Sequence, residues 1–110
     1  MDTRVSDMNK KRILLVDDEV AFARVLKAYL EGTGRYEVAL AHNGTDGLAA
    51  AKTTGPQLIL LDVIMPDLSG NQVADQLKAD ERTRRIPVIF VSAVVSREEA
   101  KARAGMIGGQ

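Results

Sequence analysis

The sequence predicts a single α/β domain with a parallel β-sheet. Short apolar runs alternate along the chain with segments whose apolar residues recur at helical spacing. The runs cover residues 13–16, 58–61 and 87–91, and a weaker strand pattern covers residues 36–41. Continuous apolar runs are typical of strands that helices bury on both faces. Because crossovers between parallel strands are right-handed, few topologies remain.

Helices are predicted between these strands and after the last one. The first is ended by Gly32 and Gly34. Its apolar face is predicted to consist of Phe22, Val25, Leu26, Tyr29 and Leu30. The others are predicted at residues 45–52, 71–79 and 96–104, and residues 80–85 are predicted to form a solvated, charged connector.

The composition argues against several classes of function. The 15 basic and 15 acidic residues cancel, so the overall charge predicts no direct contact with nucleic acid or an anionic membrane. The chain has no cysteine, which excludes disulfides, thiolate metal sites and thiol catalysis. No apolar run approaches the ~18 residues of a membrane span, and residues 1–12 do not resemble a secretion signal. We therefore expect a cytoplasmic protein without membrane contact.

One acidic residue lies within the most apolar stretch of the chain. Asp62 directly follows the run at 58–61 and precedes Val63, Ile64 and Met65. An ionised carboxylate is tolerated there only at the end of a strand, in a crevice, with a cation or hydrogen-bond donors nearby. We interpret Asp62 as a reactive carboxylate at the carboxyl end of a central strand.

Two further acidic residues, Asp17 and Asp18, follow the first predicted strand. Ligands of such sheets bind beyond the carboxyl ends of the strands, so these residues would meet Asp62 if the two strands are neighbours. Clustered carboxylates repel one another unless a cation neutralises them, and a ligand set of oxygen atoms favours Mg²⁺. The alternative interpretation is that Asp17 and Asp18 only interact favourably with a helix dipole.

Three sequence motifs close predicted strands. They are residues 15–19 (LVDDE), 61–70 (LDVIMPDLSG) and 87–93 (PVIFVSA). Together they resemble the receiver domains of two-component response regulators, and the resemblance spans about residues 11–104. It implies a flavodoxin-like, doubly wound parallel sheet with strand order 2-1-3-4. It also implies a receiver domain over residues 11–110. Residues 1–10 show no periodicity and are expected to form a flexible tail.

The resemblance implies that Asp62 is a phosphoacceptor. It would take a phosphoryl group from a phosphohistidine of a sensor histidine kinase or phosphotransfer protein, or from acetyl phosphate. Asp17, Asp18, Asp62 and the backbone carbonyl of Ile64 would hold Mg²⁺. Such a domain is a signalling module and not an enzyme, since it promotes only its own phosphorylation and dephosphorylation.

The resemblance also assigns roles around the phosphoacceptor. The Ser92 hydroxyl would donate a hydrogen bond to a phosphoryl oxygen and, with Ala93, form a conformational switch. Without the motif, Ser92 would be interpreted as a residue that caps or turns the chain. Pro66 and Gly70 are expected to shape the loop after Asp62. His42, the only histidine, is expected to be a surface residue without a catalytic role.

The sequence departs from the family after residue 104. Receiver domains have a fifth strand ending in Lys-Pro and a fifth helix, and these 110 residues contain neither. Lys101 is not at the position of that lysine, so we expect slow phosphorylation or a weak conformational readout. The strand at residues 88–91 is expected to be an apolar outer strand, which would pair with a second copy or another chain. A longer regulator, a second chain that completes the sheet, or a degenerate domain would each account for this, and we favour the first.

Two alternative functions compete with the phosphoacceptor interpretation. One is a receiver-fold module for interaction or dimerisation that works without phosphorylation. The other is a small phosphatase or nucleotide enzyme, which the sequence favours least because no glycine-rich phosphate loop follows the first strand.

Overall fold

The computed structural model describes residues 9–91 of the chain. Strands and helices alternate along these residues as β1 (Lys11–Val16), α1 (Val20–Gly32), β2 (Tyr36–Ala41), α2 (Gly44–Thr54), β3 (Leu58–Asp62), α3 (Gly70–Ala79) and β4 (Val88–Val91). The four strands form one parallel sheet in the order β2-β1-β3-β4. The fold class and strand order predicted from the sequence are therefore confirmed. The predicted helix at 96–104 and residues 1–8 lie outside the described residues.

The sheet separates two hydrophobic clusters, and β1 contributes to both. Leu14 and Val16 belong to the cluster that α2 and α3 cover, whereas Ile13 and Leu15 belong to the cluster that α1 covers. All four side chains are buried. Successive side chains of a strand point to opposite faces of the sheet, so helices on both faces require an apolar residue at every position.

The predicted apolar face of α1 is partly wrong. Val25 and Tyr29 are 69% and 71% exposed, whereas Ala23 is fully buried. The residues that pack against the sheet are Ala23, Leu26 and Leu30. The apolar surface of α1 is therefore wider than the part of it that packs against the sheet. The small side chain of Ala23 lies where the helix and the sheet are in contact.

The outer edge of β2 is joined to α1 at Val38. The Val38 backbone N–H donates to Glu31 Oε2 at 2.9 Å, and the Val38 carbonyl accepts from Lys27 Nζ at 2.6 Å. Lys27 also forms an ion pair with Glu31 at 2.8 Å. The hydrogen bond from Lys27, followed by that from Val38, lowers the pKa of Glu31. An ion pair on α1 thus satisfies backbone groups that an outer strand otherwise leaves unpaired.

The charged connector between α3 and β4 is only partly solvated. Thr83 is 1% exposed, and its Oγ1 donates to the Leu77 carbonyl at 2.7 Å. Arg82, which is exposed, pairs with Asp80 at 2.9 Å. The prediction of a solvated loop is therefore wrong at Thr83, because this hydroxyl satisfies a carbonyl of the last turn of α3.

Candidate functional site

The acidic residues singled out in the sequence meet at the carboxyl end of the sheet. Strands β1 and β3 are neighbours, with Val16 in register with Leu61. Asp17 and Asp18 therefore leave β1 beside Asp62, the last residue of β3. One carboxylate oxygen from each of the three lies within 4.8 Å of the other two.

Two of these carboxylates are buried with incomplete hydrogen bonding. Asp17 and Asp62 are 0% and 1% exposed, whereas Asp18 is exposed. Asp17 Oδ1 accepts from the Glu19 backbone N–H at 2.9 Å. Asp17 Oδ2 and both Asp62 oxygens have no hydrogen-bond partner within the described part of the chain. Such oxygens are costly to bury, so their arrangement requires a proton or a cation.

Burial and mutual repulsion favour the protonated forms of both buried acids. Burial, with the neighbouring Asp18 and Asp17 carboxyl groups adding to it, raises the pKa of Asp62 to about 7. Burial also raises the pKa of Asp17, although the Glu19 N–H partly offsets this effect. A divalent cation would neutralise the cluster and fill the unpartnered oxygen positions. The residues present fit a hard cation such as Mg²⁺, because every ligand they offer is an oxygen.

The loop after Asp62 is closed at its base by backbone contacts. The Gly70 N–H donates to the Val63 carbonyl at 2.8 Å. A Cβ atom at Gly70 would overlap the Asp62 carbonyl oxygen and would lie 2.9 Å from Val63 Cα. Gly70 is thus needed so that the start of α3 can approach the end of β3 this closely. Pro66 is exposed, and its expected role in shaping the loop stays a prediction.

Asp67, in the same loop, binds the start of α2. Its Oδ1 accepts from the Gly44 N–H at 2.9 Å, and its Oδ2 accepts from the Thr45 N–H at 2.9 Å and the Thr45 hydroxyl at 2.7 Å. These hydrogen bonds hold the pKa of Asp67 well below its usual range. Sequence reasoning assigned Asp67 no role. Its partners are 22 and 23 residues away, so no local pattern indicates them.

Ile64, His42, Ser92 and Ala93 occupy different settings. The Ile64 side chain is 60% exposed, between Asp62 and the buried Met65. His42 is half-buried, and its Nδ1 lies 3.1 Å from the backbone oxygen of Asp17. Ser92 and Ala93 lie outside the described residues.

Comparison with known proteins decides the family. A family model for the response regulator receiver domain matches residues 13–109. The chain belongs to this family. The receiver domain is 49% identical over 87 residues to the uncharacterized transcriptional regulatory protein YkoG of Bacillus subtilis, covering 78% of this chain and 36% of that protein. It is 45% identical over 86 residues to response regulator PleD of Caulobacter vibrioides, covering 78% of this chain and 19% of that protein. The chain thus spans about a third or less of these two relatives.

Solved receiver structures share this fold. The N-terminal domain of a response regulator receiver protein from Methanoculleus marisnigri superposes with a TM-score of 0.71 at 36% identity, over 74% of this chain and 66% of that chain. The receiver domain of sensor histidine kinase PA1611 from Pseudomonas aeruginosa also gives 0.71, at 32% identity over 76% of this chain and 68% of that chain. That structure has a magnesium ion coordinated in its active-site cleft. Among residues 9–91 of the present chain, no helix has the length and apolar character needed to cross a membrane.

Proposed function

We propose that this receiver domain accepts a phosphoryl group on Asp62 from a phosphohistidine of a histidine kinase or phosphotransfer protein. The observation that carries the proposal is the acidic cluster itself. Two buried carboxylates, those of Asp17 and Asp62, lie beside the exposed Asp18 at the ends of neighbouring parallel strands, and both have oxygens without a partner in the described part of the chain. A surface that served only to bind another protein would not need this arrangement.

Asp62 suits the nucleophile better than Asp17 does. One oxygen of Asp17 already accepts the Glu19 N–H, whereas neither oxygen of Asp62 has a hydrogen-bond partner among residues 9–91. Asp62 also begins the loop that carries the exposed Ile64. These differences leave Asp62 free to form a new bond while Asp17 keeps a fixed orientation.

In the proposed reaction, an ionised Asp62 oxygen attacks the phosphorus atom in line with the leaving group. The new bond joins this oxygen to phosphorus, and the bond between phosphorus and the imidazole nitrogen of the donor breaks. The imidazole leaves with the electron pair and takes up a proton, and the product is an aspartyl phosphate. Mg²⁺, which Asp17, Asp18, Asp62 and the Ile64 carbonyl would hold, supplies charge neutralisation at the phosphoryl oxygens when bound. The magnesium ion in the related PA1611 receiver domain supports this choice of metal.

The proposed output is a conformational change at Ser92 and Ala93. Asp62 is in register with Val91, the last residue of β4, and Ser92 is the next residue in the sequence. A phosphoryl group on Asp62 adds about −1.5 to −2 charge, which is enough to reorder a neighbouring loop through a hydroxyl donor. A partner that distinguishes the two arrangements of this loop would sense phosphorylation.

The test is phosphorylation of the 110-residue chain with Mg²⁺ and acetyl phosphate, followed by intact mass measurement. We expect the wild type to gain one phosphate that hydroxylamine removes, and Asp62→Asn to gain none. Asp75→Asn, which changes an exposed carboxylate on α3, is the matched control and should behave as the wild type. Equal labelling of Asp62→Asn would refute the assignment. A wild type that accepts no phosphate from acetyl phosphate or a phosphorylated histidine kinase would favour the phosphorylation-independent module.

A further inference from the structure

The first turn of α2 contacts the residue before Asp17 and the loop after Asp62. On one side, Gly47 packs directly on Val16, the residue before Asp17. A Cβ atom at Gly47 would lie 2.8 Å from Val16 Cγ1, so the helix cannot be displaced toward β1. On the other side, the first backbone N–H groups of α2 bind Asp67, in the loop after Asp62. The turn therefore lies between the segment that carries Asp17 and the segment that follows Asp62.

The contact between this turn and the loop is both polar and apolar. Asp67 accepts two backbone N–H groups and one hydroxyl group of α2, at 2.7 to 2.9 Å. Its negative charge also lies at the N-terminal end of the helix, where the helix dipole stabilises an anion. Leu68 packs against the same turn, since a Cβ atom at Gly44 would lie 2.7 Å from Leu68 Cβ. The middle of the loop is thus held against α2, while its base is held by the Gly70 to Val63 hydrogen bond.

We propose that Asp67 is a positioning residue for the phosphoacceptor site. Through the first turn of α2, it fixes the loop after Asp62 relative to Asp17, and so sets the spacing at which the carboxylates and the Ile64 carbonyl hold a divalent cation. This inference rests on the proposed function and deepens it, because it names a residue outside the acidic cluster that controls its geometry. Residues that orient metal ligands commonly change metal affinity by about 10-fold to 100-fold when they are replaced.

The test compares Asp67→Ala with Asn43→Ala in the 110-residue chain. Asn43 caps the same helix, since its side chain accepts the Asp46 N–H at 2.8 Å, but it makes no hydrogen bond to the loop. Both variants should lose stability to unfolding. We expect only Asp67→Ala to weaken Mg²⁺ binding, by about 10-fold in a calorimetric titration. Thr45→Ala, which removes one of the three hydrogen bonds, should give a smaller loss and serves if Asp67→Ala does not fold.

A second measurement needs neither metal nor phosphodonor. Amide hydrogen exchange of residues 63–69 in the metal-free protein should accelerate in Asp67→Ala and stay at the wild-type rate in Asn43→Ala. Equal losses of Mg²⁺ affinity in the two variants, or an unchanged affinity in Asp67→Ala, would overturn the positioning role.

The outcomes separate this inference from the proposed function. If the wild type accepts no phosphoryl group but Asp67→Ala alone weakens Mg²⁺ binding, the positioning role stands and the phosphoacceptor assignment fails. If the wild type is phosphorylated and Asp67→Ala is phosphorylated at the same rate with the same Mg²⁺ affinity, the phosphoacceptor stands and the positioning role fails.

Discussion

Replacement of Asp62 by asparagine should stabilise the metal-free receiver domain at neutral and alkaline pH. The Asp62 carboxyl is 1% exposed, and its oxygens have no hydrogen-bond partner within the described residues. Burial, together with the carboxyl groups of Asp18 and Asp17, raises its pKa to about 7. Ionisation of this group therefore opposes folding, and an amide of nearly the same shape removes the charge.

The direction and the size of this change in stability follow from the pKa of Asp62 in the folded and in the unfolded chain. Well below the unfolded-state pKa of 3.8, Asp62 is protonated in both the folded and the unfolded chain, so its ionisation has no effect on stability. As the pH rises toward 7, the unfolded state loses this proton first, and the free energy of unfolding falls until the folded-state pKa is passed. A shift from 3.8 to about 7 corresponds to at most about 4 kcal/mol. Because relaxation of the site reduces this value, we expect Asp62→Asn to gain on the order of 1–4 kcal/mol at pH 8.

Urea unfolding followed by circular dichroism, in EDTA and at several pH values from 4 to 8, measures this gain. Asp62→Asn should differ least from the wild type at pH 4 and exceed it increasingly up to pH 7. Asp75→Asn, the exposed control, should follow the wild type throughout. Saturating Mg²⁺ should stabilise the wild type more than the variant, because the proposed cation site includes the Asp62 carboxylate. A variant that is less stable than the wild type at pH 8 in EDTA would refute the inferred cost of the buried charge.

Two further predictions concern the framework of the site. Gly70→Ala should lower the free energy of unfolding by about 2 kcal/mol or more, since its methyl group would overlap the backbone of Asp62. Gly32→Ala is the control, because a new Cβ atom there would have no tertiary neighbour within 4 Å. It should be neutral or slightly stabilising in the same urea titration. Thr83→Val should cost about 1–3 kcal/mol, because it removes the buried hydroxyl that donates to the Leu77 carbonyl; a thermal midpoint equal to that of the wild type would contradict this role.

The sequence was sufficient to predict the sheet because β1 and β3 pack against hydrophobic clusters on both faces. Burial on both faces requires an uninterrupted apolar run, and such a run can be recognised without knowledge of its partners. The convergence of Asp17, Asp18 and Asp62 could be predicted for a related reason. Parallel strands present their carboxyl ends at one edge of the sheet, so an acidic residue after each of two neighbouring strands must lie near the other.

Features that depend on tertiary contact were not predictable. Helical periodicity placed Val25 and Tyr29 on the apolar face of α1, but it carries no information on how wide a strip the sheet covers. In the sequence, Thr83 is a polar residue of a charged connector, which predicts exposure to solvent. Only its contact with α3 explains its burial. Asp67 was visible in a motif, but its partners on α2 are distant in sequence.

Because of the ion pair between Lys27 and Glu31, the two outer strands of this sheet differ in how readily they can pair with a further strand. At β2, these side chains occupy the hydrogen-bonding groups of Val38 that an additional strand would use. At β4, the outer strand of the described sheet on the opposite side, Ile89 and Phe90 are 51% and 46% exposed. A strand from elsewhere in the polypeptide, or from a second molecule, would meet a blocked position at β2 and an accessible apolar strand at β4. Extension of this sheet therefore has a preferred direction, to which the Lys27–Glu31 pair contributes by occupying the outer backbone groups of Val38.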